Sequence, residues 1–212
     1  MNSGPAGRGV VRRGTMSDEP KPVYDESKIK TLSSLEHIRT RPGMYIGRLG
    51  DGSHQDDGVY VLLKEVLDNS VDEFIMGHGR RIELEISENR EVRVRDFGRG
   101  IPLGKLIECV SVINTGAKYN DDVFQFSVGL NGIGTKAVNA LSQRFEVISR
   151  REGKYKRAVF ESGELVEEDD GDCGEEPNGT EVHFLPDQDF FTGFEFNETF
   201  VRRRLWNYAY LN

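Results

Sequence analysis

Glu65 and Asn69 lie one helical turn apart in "KEVLDNSVDEF", residues 64 to 74. At 3.6 residues per turn they fall about 40° from each other on one side of a helix. A carboxylate there can accept a proton from water, and an amide oxygen can ligate a hard cation such as Mg²⁺. Asp68, Asp72 and Glu73 share the stretch, and Lys64 is its only base. A solvated acidic face is the bland alternative, although such faces usually interleave both signs of charge.

Three more stretches carry chemistry. In "VRVRDFGRGIP", Val92, Val94 and Asp96 share strand parity, so Asp96 continues an inward stripe. A buried acceptor left unpaired costs about 1–3 kcal/mol, so Asp96 needs a partner. Gly98 and Gly100 let the chain turn and let a flat ligand approach the backbone. In "GLNGIG", Gly129, Gly132 and Gly134 precede a helix whose first N–H groups favour an anion. Lys136 does not have Walker A spacing, and the loop is not a dinucleotide fingerprint within a βαβ unit. In "NGTEVHF", Thr180 shares parity with Val182 and Phe184, on the face Asp96 should reach. An acid beside a hydroxyl can read the amino group and ring nitrogen of adenine.

The elements that must position these groups follow from periodicity. A helix over about Val59 to Met76 should pack Val59, Leu62, Leu63, Val66, Leu67, Val71, Phe74 and Ile75 on a sheet. "RRIELEIS" and "EVRVRDFG" read as an antiparallel hairpin across Glu88 to Arg90. Short helices are expected near 28–38, 103–114 and 135–143, with a longer one near 197–209. Strands are expected near 144–150, 155–161 and 180–185. Helices separated from adjacent strands predict an α+β two-layer sandwich, helices on one face of a mainly antiparallel sheet. Residues 1–22, rich in Gly, Pro, Ser and Arg, read as a disordered leader, so the folded domain is expected over 23–212.

Of the 212 residues 36% are hydrophobic, enough for a core, and no apolar run approaches a membrane span. Without a secretory segment the expected compartment is the cytoplasm. The net charge of −8 equals the contribution of Glu164, Glu167, Glu168, Asp169, Asp170, Asp172, Glu175 and Glu176. That run reads as one solvated loop and lacks a calcium-loop pattern. Cys109 and Cys173 have no metal-type spacing.

Taken in order and separation, these elements resemble the ATP-binding (GHKL, or Bergerat) fold shared by gyrase, heat-shock chaperones, histidine kinases and MutL. "RPGMYIG", "EVLDNSVDE", "DFGRGIP", "GLNGIGTKAVNALS" and "FVRRRLWNYAYLN" resemble the N-terminal ATPase domain of the bacterial type IIA topoisomerase B-type subunits, over about Tyr24 to Asn212. The resemblance implies ATP and Mg²⁺ as ligands, with Glu65 as general base and Asn69 as metal ligand. It makes Asp96 the partner of the adenine amino group, supported by Thr180 through water, with Val66, Val94, Gly100, Ile101 and Pro102 lining the adenine pocket. Lys118 would lie near the phosphates, and Leu130, Asn131, Gly132, Ile133 and Gly134 would form the phosphate-cradling lid. Glu73, Arg99 and Arg151 would form the rim that meets aminocoumarin-type inhibitors, with Arg151 pairing to Glu73. Tyr24 and Ile29 match an arm that reaches a second copy of the B-type subunit.

The implied assembly is an A₂B₂ complex with a topoisomerase A-type subunit, acting on DNA, cytoplasmic and nucleoid-associated, with no membrane partner. Family members continue into a transducer domain that supplies a lysine to the γ-phosphate, so this region alone should hydrolyse ATP poorly. Asn131 stands where many relatives have His, and Phe124 where many have Tyr. The short connector between Pro102 and Lys118 favours topoisomerase IV over gyrase. Outside the topoisomerases, a MutL- or chaperone-like nucleotide-gated clamp is the alternative.

Overall fold

Six strands form one antiparallel sheet in the order β1-β2-β6-β3-β4-β5, in a computed structural model describing residues 31–115 and 132–211. The strands are β1 (Ile82–Ile86), β2 (Val92–Asp96), β3 (Ser142–Arg151), β4 (Lys154–Glu161), β5 (Glu164–Asp172) and β6 (Gly179–Pro186). The helices are α1 (Ser34–Thr40), α2 (Gly43–Ile46), α3 (Gly58–Ile75), α4 (Leu106–Ser111), α5 (Gly134–Ala140) and α6 (Glu198–Leu211). The chain is therefore an α+β sandwich, as its periodicity predicts. Tyr24, Ile29, Lys118, Phe124, Leu130 and Asn131 lie outside the described residues.

The register of the sheet brings the site together. The late strand β6 inserts between β2 and β3, pairing Val94 with Val182 and Val147 with Val182. A strand far downstream thus delivers Thr180 beside the end of β2, and the hairpin alone could not do so (180 − 96 = 84 residues). Val92, Val94, Val147, Val182 and Phe184 are buried against α3 and α5, which pack on that face. Full burial of such a side chain contributes about 1.5–3 kcal/mol.

The opposite face carries charge. Glu181, nearly buried, accepts from Arg93 Nε at 2.7 Å, Arg150 Nη1 at 2.9 Å and Arg95 Nη1 at 3.3 Å, and meets His183 Nε2 at 2.9 Å. His183 above all, then Arg93 and Arg150, hold its carboxyl well below the usual range against the opposing effect of burial.

Four local expectations need correction. The acidic run from Glu164 is not a loop but edge strand β5. It has no apolar stripe because both of its faces are wet. Basic residues of β4 hold it in register: Lys156 pairs with Glu168 at 2.5 Å and Arg157 with Glu167 at 2.6 Å. The charge also blunts the free edge. Phe74 and Ile75, expected against the sheet, are substantially exposed in the last turn of α3. The helix expected at 103–114 begins as a 3₁₀ turn, Leu103–Lys105, and ends at Ser111. The helix expected to reach 143 stops at Ala140, and β3 starts at Ser142. Among the described residues no helix is long and apolar enough to cross a membrane.

Candidate functional site

A cavity of about 680 Å³ opens between α3, α5 and the ends of β2, β3 and β6. Its lining includes Glu65, Val66, Asn69, Glu73, Val94, Asp96, Arg99, Gly100, Ile101, Pro102, Gly132, Ile133, Gly134, Arg151 and Thr180. Every site residue read from the sequence and lying within the described residues therefore meets in one place.

Asp96 forms the polar point of an otherwise apolar floor made by Val66, Val94, Ala137, Val147 and Val182. Its Oδ1 accepts from the backbone N–H of Gly98 at 2.9 Å and of Thr180 at 3.1 Å. Burial pushes its carboxyl up to about 6, against those two hydrogen bonds, and the Glu73 charge adds to the rise. Gly179 explains the Gly-Thr pair: its φ is +144°, and a Cβ there would overlap the carbonyl oxygen of Asp96. Only a glycine lets β6 come this close to β2.

The rim is assembled differently from the expectation. Glu73 pairs with Arg99 rather than Arg151. It accepts from the Arg99 backbone N–H at 2.8 Å, from Nε at 3.1 Å and from Nη2 at 2.9 Å. Although burial opposes it, the Arg99 hydrogen bonds lower the Glu73 carboxyl. Arg151 instead donates from Nη1 to the carbonyl of Gly100 at 3.2 Å. The tight turn at Gly98–Gly100 lies against Glu73, where a Cβ on Gly98 would overlap its side chain, so both the backbone and the guanidinium of Arg99 grip the carboxylate.

At the other end, the Glu65 carboxylate lies over the first residue of α5, where a Cβ on Gly134 would overlap Oε2. Asn69 Nδ2 donates to Thr135 Oγ1 at 2.8 Å, which fixes the amide group against α5. The amide is a hard neutral ligand suited to Mg²⁺. Among the described residues no three His, Cys, Asp or Glu side chains cluster as a metal cage. The donor set fits an ion that keeps phosphate and water as most of its ligands, the usual habit of Mg²⁺.

Sequence reasoning missed three residues. Lys136 is buried along the cavity wall and donates from Nζ to the carbonyls of Thr115 at 2.6 Å and Gly132 at 2.5 Å. Its lack of Walker spacing set it aside, yet a side chain in the first turn of a helix leans back towards the N-terminus. Thr135 orients Asn69, and Ser149 Oγ donates to the carbonyl of Ile101 at 2.6 Å, holding the Gly100–Pro102 turn. Nothing local marked either hydroxyl. Cys109 also lines the cavity, its thiol raised by burial.

Residues 54–189 match the family described as histidine kinase-, DNA gyrase B-, and HSP90-like ATPase. The chain is 62% identical over 189 residues to the B-type subunit of DNA topoisomerase 4 from Borreliella burgdorferi, covering 89% of this chain and 31% of that protein. It is 39% identical over 197 residues to the B-type subunit of the type 2 topoisomerase from Aquifex aeolicus, covering 89% of this chain and 24% of that protein. The chain thus spans about a quarter to a third of the length of these curated relatives. The 43K ATPase domain of Thermus thermophilus gyrase B, solved with an aminocoumarin, superposes with a TM-score of 0.70 at 33% identity, covering 85% of this chain and 46% of that one. The family match takes in most of the elements that wall the cavity, from α3 to β6, and the chain belongs to the histidine kinase-, DNA gyrase B- and HSP90-like ATPase family.

Proposed function

We propose that residues 23–212 are the ATP-binding and hydrolysing domain of a bacterial type II DNA topoisomerase, from its B-type subunit, and of topoisomerase IV in preference to gyrase. The observation that carries the nucleotide reading is Asp96. One carboxylate oxygen is occupied by two backbone N–H groups, and the residue faces an apolar cleft wide enough for a purine. The 62% identity to a topoisomerase 4 relative, against 36% to the gyrase B of Caulobacter vibrioides, supports the choice of enzyme.

In this reading Asp96 accepts from the adenine amino group, and Thr180 stands beside it at the same edge. Val66, Val94, Ile101 and Pro102 sandwich the ring. Glu65, at the α5 end of the cavity, accepts the proton of the water that attacks the γ-phosphate. Asn69 would hold Mg²⁺ through its amide oxygen. When bound, the ion neutralises phosphate charge as it develops. Lys136 keeps the Thr115 and Gly132 carbonyls together at the mouth of the phosphate end. Lys118, Leu130 and Asn131 complete that end, and Tyr24 belongs to an arm shared with a second copy of the same subunit. The whole protein works in an A₂B₂ assembly with an A-type subunit on DNA, in the nucleoid.

Titrating ADP into wild type and Asp96→Asn tests the nucleotide reading. Losing a charged hydrogen bond costs about 1.5–3 kcal/mol, so affinity should fall roughly 10–100-fold. Unchanged affinity would contradict it. Decatenation exceeding supercoiling by the full assembly separates topoisomerase IV from gyrase.

A further inference from the structure

Tyr208 stands on α6, away from the cavity, and its hydroxyl donates to Asp68 Oδ1 on α3. Asp68 is fully buried, and its other oxygen takes Lys64 Nζ from the preceding turn of the same helix. The carboxylate is therefore gripped on both oxygens, by its own helix and by an element 140 residues away. Asp68 immediately precedes Asn69 and follows Glu65 by three residues. The grip lies within the turn that bears the two groups at the phosphate end.

The same two helices meet again two turns earlier. Tyr60 Oη accepts from the Asn197 N–H at 2.8 Å and donates to the Gly52 carbonyl at 2.7 Å. Its ring meets Phe200 edge-on at 5.7 Å. Tyr60 to Asp68 and Phe200 to Tyr208 are both eight residues (68 − 60 and 208 − 200), about 12 Å of helix in each case. Hence α6 meets α3 at two points that follow the same order along both helices. Val201 is the buried apolar residue of α6, whereas Trp206, Tyr210 and Leu211 are exposed. Its far half reaches the core through Tyr208, whose ring packs there and whose hydroxyl meets Asp68. Burial and the Asp68 carboxylate both raise the Tyr208 phenol, which keeps it a donor.

We propose that Tyr208 is a positioning residue for hydrolysis, fixing through Asp68 the rotation of the α3 turn that presents Glu65 and Asn69. A side-chain tip sits about 6 Å from a helix axis, so a roll of about 20° moves it by about 2 Å. Misplacement by about 1 Å can cost on the order of 10²-fold in rate. The proposal rests on the ATPase reading given above.

The test compares wild type, Tyr208→Phe and Phe200→Leu in the full-length protein. The readouts are ADP affinity without Mg²⁺, kcat for ATP, the Mg²⁺ concentration giving half-maximal rate, and Tm. Tyr208→Phe keeps the ring and should leave ADP affinity within about twofold, because Asp96 is untouched. Its kcat should fall at least about tenfold, with a higher Mg²⁺ requirement. Phe200→Leu loosens α6 against Tyr60 without touching Asp68, and should lower Tm while keeping kcat. Wild-type kcat in Tyr208→Phe overturns the proposal. So does a fall in kcat matched by ADP affinity or equalled in Phe200→Leu. A wild-type protein with no ATP turnover would overturn the ATPase reading and this proposal together, an outcome distinct from normal wild-type turnover with an unaffected Tyr208→Phe.

Discussion

The Thr180 backbone N–H reaches Asp96 Oδ1 at 3.1 Å, and Gly98 reaches the same oxygen at 2.9 Å. Two donors on one oxygen fix the carboxylate plane, so Oδ2 is the oxygen left for a ligand. Recognition of the adenine amino group needs that oxygen as an acceptor, which a proton would convert into a donor.

The Asp96 carboxyl at about 6 therefore sets a pH window for nucleotide binding. Affinity should be full above about pH 7 and weaken as pH falls through about 6. At about pH 5 roughly one molecule in ten has Asp96 ionised, so Kd for ADP should rise about tenfold. Folding stability should move the opposite way. A carboxyl raised above its ordinary 3.8 favours the fold when protonated, so the ligand-free protein loses this contribution as pH rises through about 6. Comparing Asp96→Asn with wild type isolates both effects; a wild-type Kd that stays flat from about pH 7 to about pH 5 would contradict the assignment.

Gly179→Ala should fail at the same junction. Its Cβ would overlap the Asp96 carbonyl and its φ of +144° is strained for any L side chain. Backbone strain of this kind costs about 1–3 kcal/mol before the clash is counted, so thermal unfolding should show a loss of about 2–4 kcal/mol. Gly104→Ala, with nothing within 4 Å of its added Cβ, is the control and should be near neutral.

On the back of the sheet, Glu181→Gln leaves Arg93, Arg95 and Arg150 around a neutral amide. Removing one partner of a buried ion pair costs about 3–5 kcal/mol, and partial solvation of the arginines reduces that to about 2 kcal/mol. The sign with pH follows from a depressed carboxyl. The contribution is complete above the ordinary carboxylate range and disappears as pH falls through the lower folded-state value. Chemical denaturation of wild type and variant should therefore converge in strong acid.

Much of this was legible because periodicity and chemistry agree. The parity of Val92, Val94 and Asp96 placed the carboxylate on the buried face, and the spacing of Glu65 and Asn69 placed both on the cavity wall that meets α5. What escaped notice depends on contacts between distant segments. β5 is a strand because β4 offers Lys156 and Arg157 across the ladder, which no hydrophobic pattern within 164–172 records. The Glu73–Arg99 pair is hidden in the sequence because the turn at Gly98 carries Arg99 back onto α3, a matter of backbone path more than residue type. The burial of Asp68 was equally hidden, since an acidic helix face looks solvated until the Tyr208 hydroxyl meets it.

The account stands or falls on Glu65. In the full-length protein, Glu65→Ala should bind ATP at least as tightly as wild type, because a carboxylate facing a triphosphate is removed. Its single-turnover hydrolysis rate should fall by about 10²–10⁴. Asn69→Asp, measured alongside, should instead weaken Mg²⁺–nucleotide binding itself, since it alters the amide proposed as metal ligand, which donates to Thr135. Nucleotide binding retained with turnover abolished in Glu65→Ala is the predicted result; wild-type turnover in that variant would show that water is activated elsewhere and would contradict the account.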